Sequence, residues 1–258
     1  IMAKMAAGIA DDYLTTAILA TTAPVLVCPA MNVKMYEHPA TQRNIETLRQ
    51  LGYHILDPGV GSMACKEEGA GRLADMDRIM EKIHQLLTKP SLDGLKVLVS
   101  AGPTWEPLDP VRYITNPSSG KMGFALAKVG VRRQAQVHLV SGPVSIPPPL
   151  EVMHHQTVTA LDMQRRIEAL AKDMDVIIMA AAVSDYRPAE VSQQKVKKFD
   201  THQMIALEKN PDILLGLGQS RHMGKPGVLV GFAAETENLL ENRSEERRVG
   251  KECRSRWS

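Results

Sequence analysis

The chain has 258 residues, 44% of them hydrophobic, and a formal charge of +2 from 31 basic and 29 acidic residues. That length suits one large or two small domains with a sizeable core, and the near balance of charge excludes retention on nucleic acid or membrane by charge alone while leaving small acidic ligands open. Three cysteines, Cys28, Cys65 and Cys253, lie far apart with no C-x-x-C pair, so neither a disulfide framework nor a zinc site is indicated and a reducing cytosol fits best. No apolar run approaches the roughly 18 residues of a membrane span, and residues 1–20 lack the layout of a signal peptide; a soluble, cytoplasmic protein is expected.

In chain order, residues 1–20 read as an apolar helix with no cap and no strand before it, from which a missing front part of the domain is expected. V-L-V-C at 25–28 reads as a buried strand, and a helix follows with Ile45, Leu48 and Leu51 at helical spacing. Y-H-I-L at 53–56 is a second strand, followed by a Gly-rich loop. Met76, Ile79, Met80, Ile83, Leu86 and Leu87 then make one helical apolar stripe, expected to be core. T-K-P-S-L-D-G at 88–94 mixes Pro, Ser and Gly between periodic regions and marks the domain boundary.

Beyond it, strands are expected at 96–100, 136–140, 175–180 and 228–232, with helices near 119–130, 159–172 and 210–220 and Thr159 as a cap. Short continuous apolar strands alternating with helices indicate a parallel sheet covered on both faces, with ligands at the carboxyl ends of its strands. K-V-K-K-F at 195–199 and Q-M-I-A-L-E-K at 203–209 alternate like an antiparallel edge pair. From Arg243 to Ser258 the composition turns charged and pattern-free, and its back-translation resembles a sequencing adapter; this tail is expected to be an assembly artefact.

The stretch N-P-S-S-G-K-M-G at 116–123 opens a helix after a strand and a long loop. It is no Walker A loop, since Thr115 stands where the first glycine belongs and Met122 replaces the hydroxyl that would hold Mg²⁺. Nor does the strand at 96–100 lead into G-x-G-x-x-G, which disfavours a standard NAD site. Ser118, Ser119 and backbone N–H groups could still face an anion at the helix N-terminus.

The run A-G-P-T-W-E-P-L-D-P-V-R-Y-I-T-N-P-S-S-G-K-M-G (101–123), with A-A-A-V-S-D-Y-R-P (180–188), K-V-K-K (195–198), K-N-P-D-I (209–213) and G-F-A-A-E-T (231–236), resembles phosphopantothenate-cysteine ligase. P-A-M-N (29–32) and A-C-K-E-E-G-A-G-R (64–72) are similar to the flavin-dependent phosphopantothenoylcysteine decarboxylase fused to that ligase in bacteria. The resemblance, over residues 1–242, implies an α/β chain: the C-terminal part of a flavodoxin-like flavoprotein domain (1–88), a linker (89–94) and a Rossmann-like, parallel-sheet ligase domain (95–242) before the tail. It implies coenzyme A biosynthesis. CTP would activate the carboxylate of 4'-phosphopantothenate as an acyl cytidylate, cysteine would displace CMP, and FMN chemistry would decarboxylate the product to 4'-phosphopantetheine.

The resemblance also implies roles. Asn116 sits at the acyl centre with Arg112 beside it, Lys195 neutralises phosphate charge, and Asp185 places the nucleotide or its Mg²⁺. Ala181, Asn210, Pro211, Asp212, Ile213 and Phe232 line the CTP site. In the decarboxylase half Cys65 is the acid on a substrate-covering loop and Asn32 holds the substrate carboxylate, while Cys28 is structural; Lys66 stands where the family usually has Gly. On this basis the flavin phosphate loop and the catalytic His fall before residue 1 and a lysine-bearing flap falls after residue 242, so decarboxylation by this chain alone is not expected. A homo-oligomer is implied. The rival readings are a noncatalytic nucleotide-binding module and a nicotinamide-dependent dehydrogenase, the latter disfavoured by the missing glycine fingerprint.

Overall fold

Asp12 starts the first well-capped helix of the chain: its carboxylate accepts from the Thr15 N–H at 2.8 Å while the Thr15 hydroxyl faces back to the Asp12 backbone, a reciprocal cap. The computed structural model describes residues 1–62, 68–196, 204–221 and 227–232, and the chain divides into two compact units, Ile1–Lys89 and Pro90–Ser258. In unit 1 the order is α1 (Met2–Ala7), α2 (Tyr13–Ala20), β1 (Leu26–Val27), α3 (Val33–Glu37), α4 (Pro39–Gln50), β2 (His54–Ile55), β3 (Gly59–Ser62), β4 (Glu68–Arg72) and α5 (Met76–Leu87). β1 and β2 pair in parallel, and α4, with Pro39 preset for its first turn, buries Ile45 and Leu48.

Three expectations for this unit are corrected. Leu51 follows the end of α4 and is exposed rather than continuing its buried stripe. The stretch after β2 is not a loop but an antiparallel hairpin, β3 with β4, in which Gly61 opposes Gly69. The stripe on α5 is not core: no α5 residue is buried, and Met76 and Leu87 are 64% and 74% exposed. Periodicity reports that one face is apolar, not that something covers it.

Unit 2 continues with β5 (Lys96–Ala101), β6 (Trp105–Pro107), β7 (Tyr113–Thr115), α6 (Lys121–Arg132), β8 (Gln136–Ser141), β9 (Met153–Gln156), α7 (Ala160–Ala171), β10 (Val176–Met179), β11 (Tyr186–Pro188), β12 (Leu207–Lys209), α8 (Ile213–Arg221) and β13 (Val228–Gly231). Five strands form one parallel sheet in the order β13-β10-β5-β8-β9. Alternate residues of its strands bury on opposite faces. Leu98, Val140 and Ile177 meet Met163 and Ile167 of α7 and Ile213 and Leu217 of α8. Val97, Val99, Val137 and Leu139 meet Phe124, Ala127 and Val131 of α6. Each such fully buried aliphatic side chain contributes about 1.5–3 kcal/mol relative to exposure, which is why the apolar runs of β5, β8 and β10 take the centre of the sheet.

The fifth strand, β9, was not expected, because M-H-H-Q carries no apolar run. It is an edge strand whose side chains bond to its neighbour: His154 Nε2 lies 2.8 Å from Ser141 Oγ, and His155 Nε2 lies 3.0 Å from His138 Nδ1. Partial burial holds all three imidazoles below their ordinary pKa. Leu207–Lys209 pairs antiparallel with Tyr186–Pro188, where Arg187 stands opposite Glu208 and bonds it at 2.7 Å; the expected pairing of 195–199 with 203–209 falls on residues 197–203, which lie outside the described ones. No helix among the described residues is long and apolar enough to cross a membrane.

Candidate functional site

The sheet of unit 2 is built outward in both directions from β5: β8 and β9 lie to one side, β10 and β13 to the other. The crevice beyond the carboxyl ends of β5 and β10 is therefore the topological switch point, the place where open parallel sheets bind ligands. Two loops meet there. Residues after β5 and after β10 bridge at Pro103 and Ala182, and the Ala182 N–H donates to Gly102 O at 2.9 Å. Ser100 Oγ, at the end of β5, accepts from the Ala180 and Ala181 N–H groups at 3.1 and 3.2 Å. Thr104 Oγ1 accepts from the Ser184 N–H at 3.0 Å.

Glycines let these backbones touch. Gly102 and Gly120 both hold φ of +73°, and a Cβ on either would meet Val144 Cγ1 at 2.8 or 2.9 Å. A Cβ on Gly123 would lie 2.5 Å from Ala101 Cβ and 2.9 Å from Ser100 O. Gly102 thus makes the turn after the strand, Gly120 brings the helix start against it, and Gly123 permits close helix–strand packing. These are the three tasks of a dinucleotide-binding glycine fingerprint. The β6–β7 hairpin, which separates Gly102 from Gly120, hides that arrangement from a search for contiguous G-x-G-x-x-G. Helix α6 starts at Lys121 with no side-chain cap, and the Ser118 hydroxyl accepts from the Gly120 N–H at 3.4 Å. First-turn N–H groups of a helix have no partner within it and favour an anion.

The hairpin also carries Asn116 into the crevice. Its strands are held by the stacked rings of Trp105 and Tyr113, 4.1 Å apart, and by Thr115 Oγ1 donating to Thr104 O at 2.8 Å. The Glu106 carboxylate, 1% exposed, accepts from the Ala160 N–H at the start of α7 at 3.0 Å and roots the hairpin in the scaffold. Asn116 Nδ2 then donates to Val183 O at 3.0 Å and to Ala182 O at 3.5 Å. Its N–H₂ is thus held by the 182–183 carbonyls, and Oδ1 is the atom left to face a ligand.

Asn210 approaches the same loop from the other side. It is buried, its Nδ2 donates to Ser184 O at 2.8 Å, its N–H donates to Asp185 O at 2.7 Å, and its Oδ1 accepts from Arg187 at 2.9 Å. Asn210 therefore shapes the loop more than it lines a cavity. Asp212 starts α8 by accepting from the Leu215 N–H at 2.9 Å, with Pro211 just before it, and Ile213 packs in the core. Asp185, Ser119 and Lys195 are exposed, and Phe232, 51% exposed, follows β13 with its N–H on Met179 O.

Arg112 is paired within its own loop. Its guanidinium forms a two-point pair with the buried Asp109 carboxylate, Nε at 3.0 Å and Nη2 at 2.6 Å. That guanidinium, aided by backbone N–H groups of Val111, Val196 and Arg112, holds the Asp109 carboxyl far below the usual carboxylate range despite its burial. A carboxyl with a lowered folded-state pKa lends stability that is complete above its unfolded value, about 4, and lost as pH falls through its own lower value. A carbon-13 titration should accordingly show the Asp109 carboxyl still ionised after exposed carboxylates have protonated. Protonation in step with them would mean that the pair does not form.

In unit 1, Asn32 caps α3, accepting from the Lys34 N–H at 2.9 Å. The loop that carries it is tied to the β3–β4 hairpin by the Met31 N–H on Gly71 O at 2.8 Å, and a Cβ on Gly69 would meet Val33 Cγ2 at 2.9 Å. Cys65 and Lys66 belong to the hairpin's connection, residues 63–67, and lie outside the described residues. Cys28 is partly buried and burial raises its thiol pKa, in keeping with an inert role.

Residues 92–254 match the family model described as DNA/pantothenate metabolism flavoprotein C-terminal domain. The chain belongs to this family. Residues 1–88 match the flavoprotein family as well. Among curated relatives, a Vibrio vulnificus protein named coenzyme A biosynthesis bifunctional protein CoaBC is 45% identical over 241 residues, 93% of this chain and 60% of the relative. The Escherichia coli protein of that name is 46% identical over 245 residues, again 93% and 60%. The chain thus spans about 60% of the length of these relatives. The crystal structure of the C-terminal domain of a CoaBC protein superposes with a TM-score of 0.54 at 43% identity, over 62% of this chain and 74% of that one.

Proposed function

We propose that this family member acts in coenzyme A biosynthesis, with unit 2 carrying CTP-dependent ligation of cysteine to 4'-phosphopantothenate. The observation that carries the reading is the switch-point crevice, where Asn116, the 180–185 loop and the Gly120–Gly123 helix start converge on one place that can take a phosphate-bearing ligand and an acyl centre. Forming an amide from a carboxylate requires its activation and then donors and cations placed where negative charge develops. The helix N-terminus with Ser118 and Ser119, the exposed Lys195 and Arg112 supply positive potential for phosphates. Asn116, gripping two carbonyls, sets the loop against which the activated acyl group lies. Asp185 is an exposed carboxylate at the same rim. It would complete the shell of a Mg²⁺ arriving on the triphosphate.

Unit 1 fits a flavin less fully. Asp12, Asn32, His38 and Asp75 precede its helices α2 to α5, and an aspartate at a helix start repels phosphate rather than cradling it. The Asn32 loop and the connection that carries Cys65 would supply the substrate side of a decarboxylase, which FMN would serve by oxidising the substrate thiol. Cytoplasmic location and homo-oligomeric assembly belong to the same reading.

The test is to incubate the chain with CTP, Mg²⁺, cysteine and 4'-phosphopantothenate and follow the amide by mass spectrometry. Product with CTP and none with NADH-linked controls is expected. Binding of CTP with no product under any condition would favour the noncatalytic module.

A further inference from the structure

We propose that Asp109 is a positioning residue that clasps the 192–196 segment and so presents Lys195 to the nucleotide phosphates. The inference rests on the reading of Lys195 given above. Asp109 is 3% exposed and collects five hydrogen bonds. Its Oδ1 accepts from the Val111 and Arg112 N–H groups at 2.8 and 2.9 Å; its Oδ2 accepts from Arg112 Nε and Nη2 at 3.0 and 2.6 Å and from the Val196 N–H at 3.1 Å. The last bond reaches across 87 positions. Arg112 Nη2 returns to Val196 O at 3.0 Å, and the Ser192 N–H donates to Leu108 O at 3.0 Å.

Residues 191–196 have no helix or strand of their own, so these contacts are what fix their backbone. A lysine is a flexible point charge, and holding its backbone in place lowers the entropy lost when it meets a phosphate. Burying a carboxylate is costly unless every lone pair is satisfied. Here the donors come from both segments, so losing either side undoes the clasp. The same bonds leave Arg112 with Nη1 as its remaining donor group, aimed by the pair rather than free to wander.

The experiment compares Asp109→Asn, Lys195→Ala and the double variant for CTP affinity in Mg²⁺ by calorimetry, and for the rate of tryptic cleavage after Lys195. Asparagine keeps the volume but sets an N–H₂ against the existing donors. Asp109→Asn should weaken CTP about tenfold and Lys195→Ala at least as much, with the double variant no weaker than Lys195→Ala, because coupled residues do not add. Cleavage after Lys195 should accelerate in Asp109→Asn well below its melting temperature. Losses that multiply in the double variant, or unchanged affinity and cleavage in Asp109→Asn, would overturn the proposal. If the parent chain binds no CTP, or Lys195→Ala binds it normally, the functional reading fails instead, and the cleavage rate alone decides the clasp. Should Asp109→Asn not fold, Val196→Pro removes only the donor on the far segment and is held to the same affinity outcomes, with tryptic cleavage read after Lys197 because trypsin does not cut a Lys–Pro bond.

Discussion

Asn116→Asp is expected to lower amide formation by about 10²–10³-fold while pyrophosphate release from CTP and 4'-phosphopantothenate continues, so that the acyl cytidylate accumulates. The native amide donates to two carbonyls, Val183 O at 3.0 Å and Ala182 O at 3.5 Å. A carboxylate has no proton to offer them, so the variant sets an anion against two acceptors beside the reacting centre. Misplacing one preorganised group at a developing charge typically costs that much in rate, whereas on the proposed reading carboxylate activation draws on the phosphate-binding groups instead. Mass spectrometry of a quenched reaction reads both species. Wild-type rates of product formation would remove Asn116 from the mechanism.

Gly142→Ala is expected to cost about 3 kcal/mol or more, lowering the melting temperature of unit 2 by about 10 °C. A Cβ at this position would lie 1.6 Å from Pro103 O and 2.8 Å from Pro103 C. These are backbone atoms of the turn that follows β5, so no side chain can swing away to relieve the contact. The turn would have to leave Ala182, to which it is bridged, and the ligand crevice would open with it. Gly216→Ala is the control: nothing lies within 4 Å of its Cβ, and in a helix alanine is favoured over glycine by roughly 0.5–1 kcal/mol. Thermal unfolding by circular dichroism separates the two. A Gly142→Ala melting temperature within about 2 °C of the parent would mean that this turn does not pack on Gly142.

The central strands of unit 2 were readable because their apolar runs are continuous, as burial on both faces demands. Thr159 was readable as a cap, and the structure gives it a reciprocal capping box with Asp162. The β9 edge was not readable. β9 is polar and earns its place through His154 on Ser141 and His155 on His138, contacts made only once β8 lies beside it. For the same reason the stripe on α5 misled: the pattern is genuine, but burial depends on what else packs there.

Motifs marked Asn116, Asp185 and Lys195 as candidates, yet the residues that brace their segments were silent in sequence. No pattern singles out Asp109, whose bond to the Val196 N–H spans 87 positions. None singles out Glu106, which accepts from the Ala160 N–H at the start of α7. Asn210 and Ile213, which stand in one motif, part company: one braces a loop and the other fills the core. A linear pattern marks a segment as special without saying which of its side chains meets the ligand.

The most direct single measurement is pyrophosphate release on mixing the chain with CTP, Mg²⁺ and 4'-phosphopantothenate before any cysteine is added. The account predicts a release that requires both CTP and 4'-phosphopantothenate, stops near one equivalent of active sites and resumes when cysteine enters. Release that ignores 4'-phosphopantothenate, or none at all while CTP is bound, would contradict activation of a carboxylate at the β5–β10 crevice.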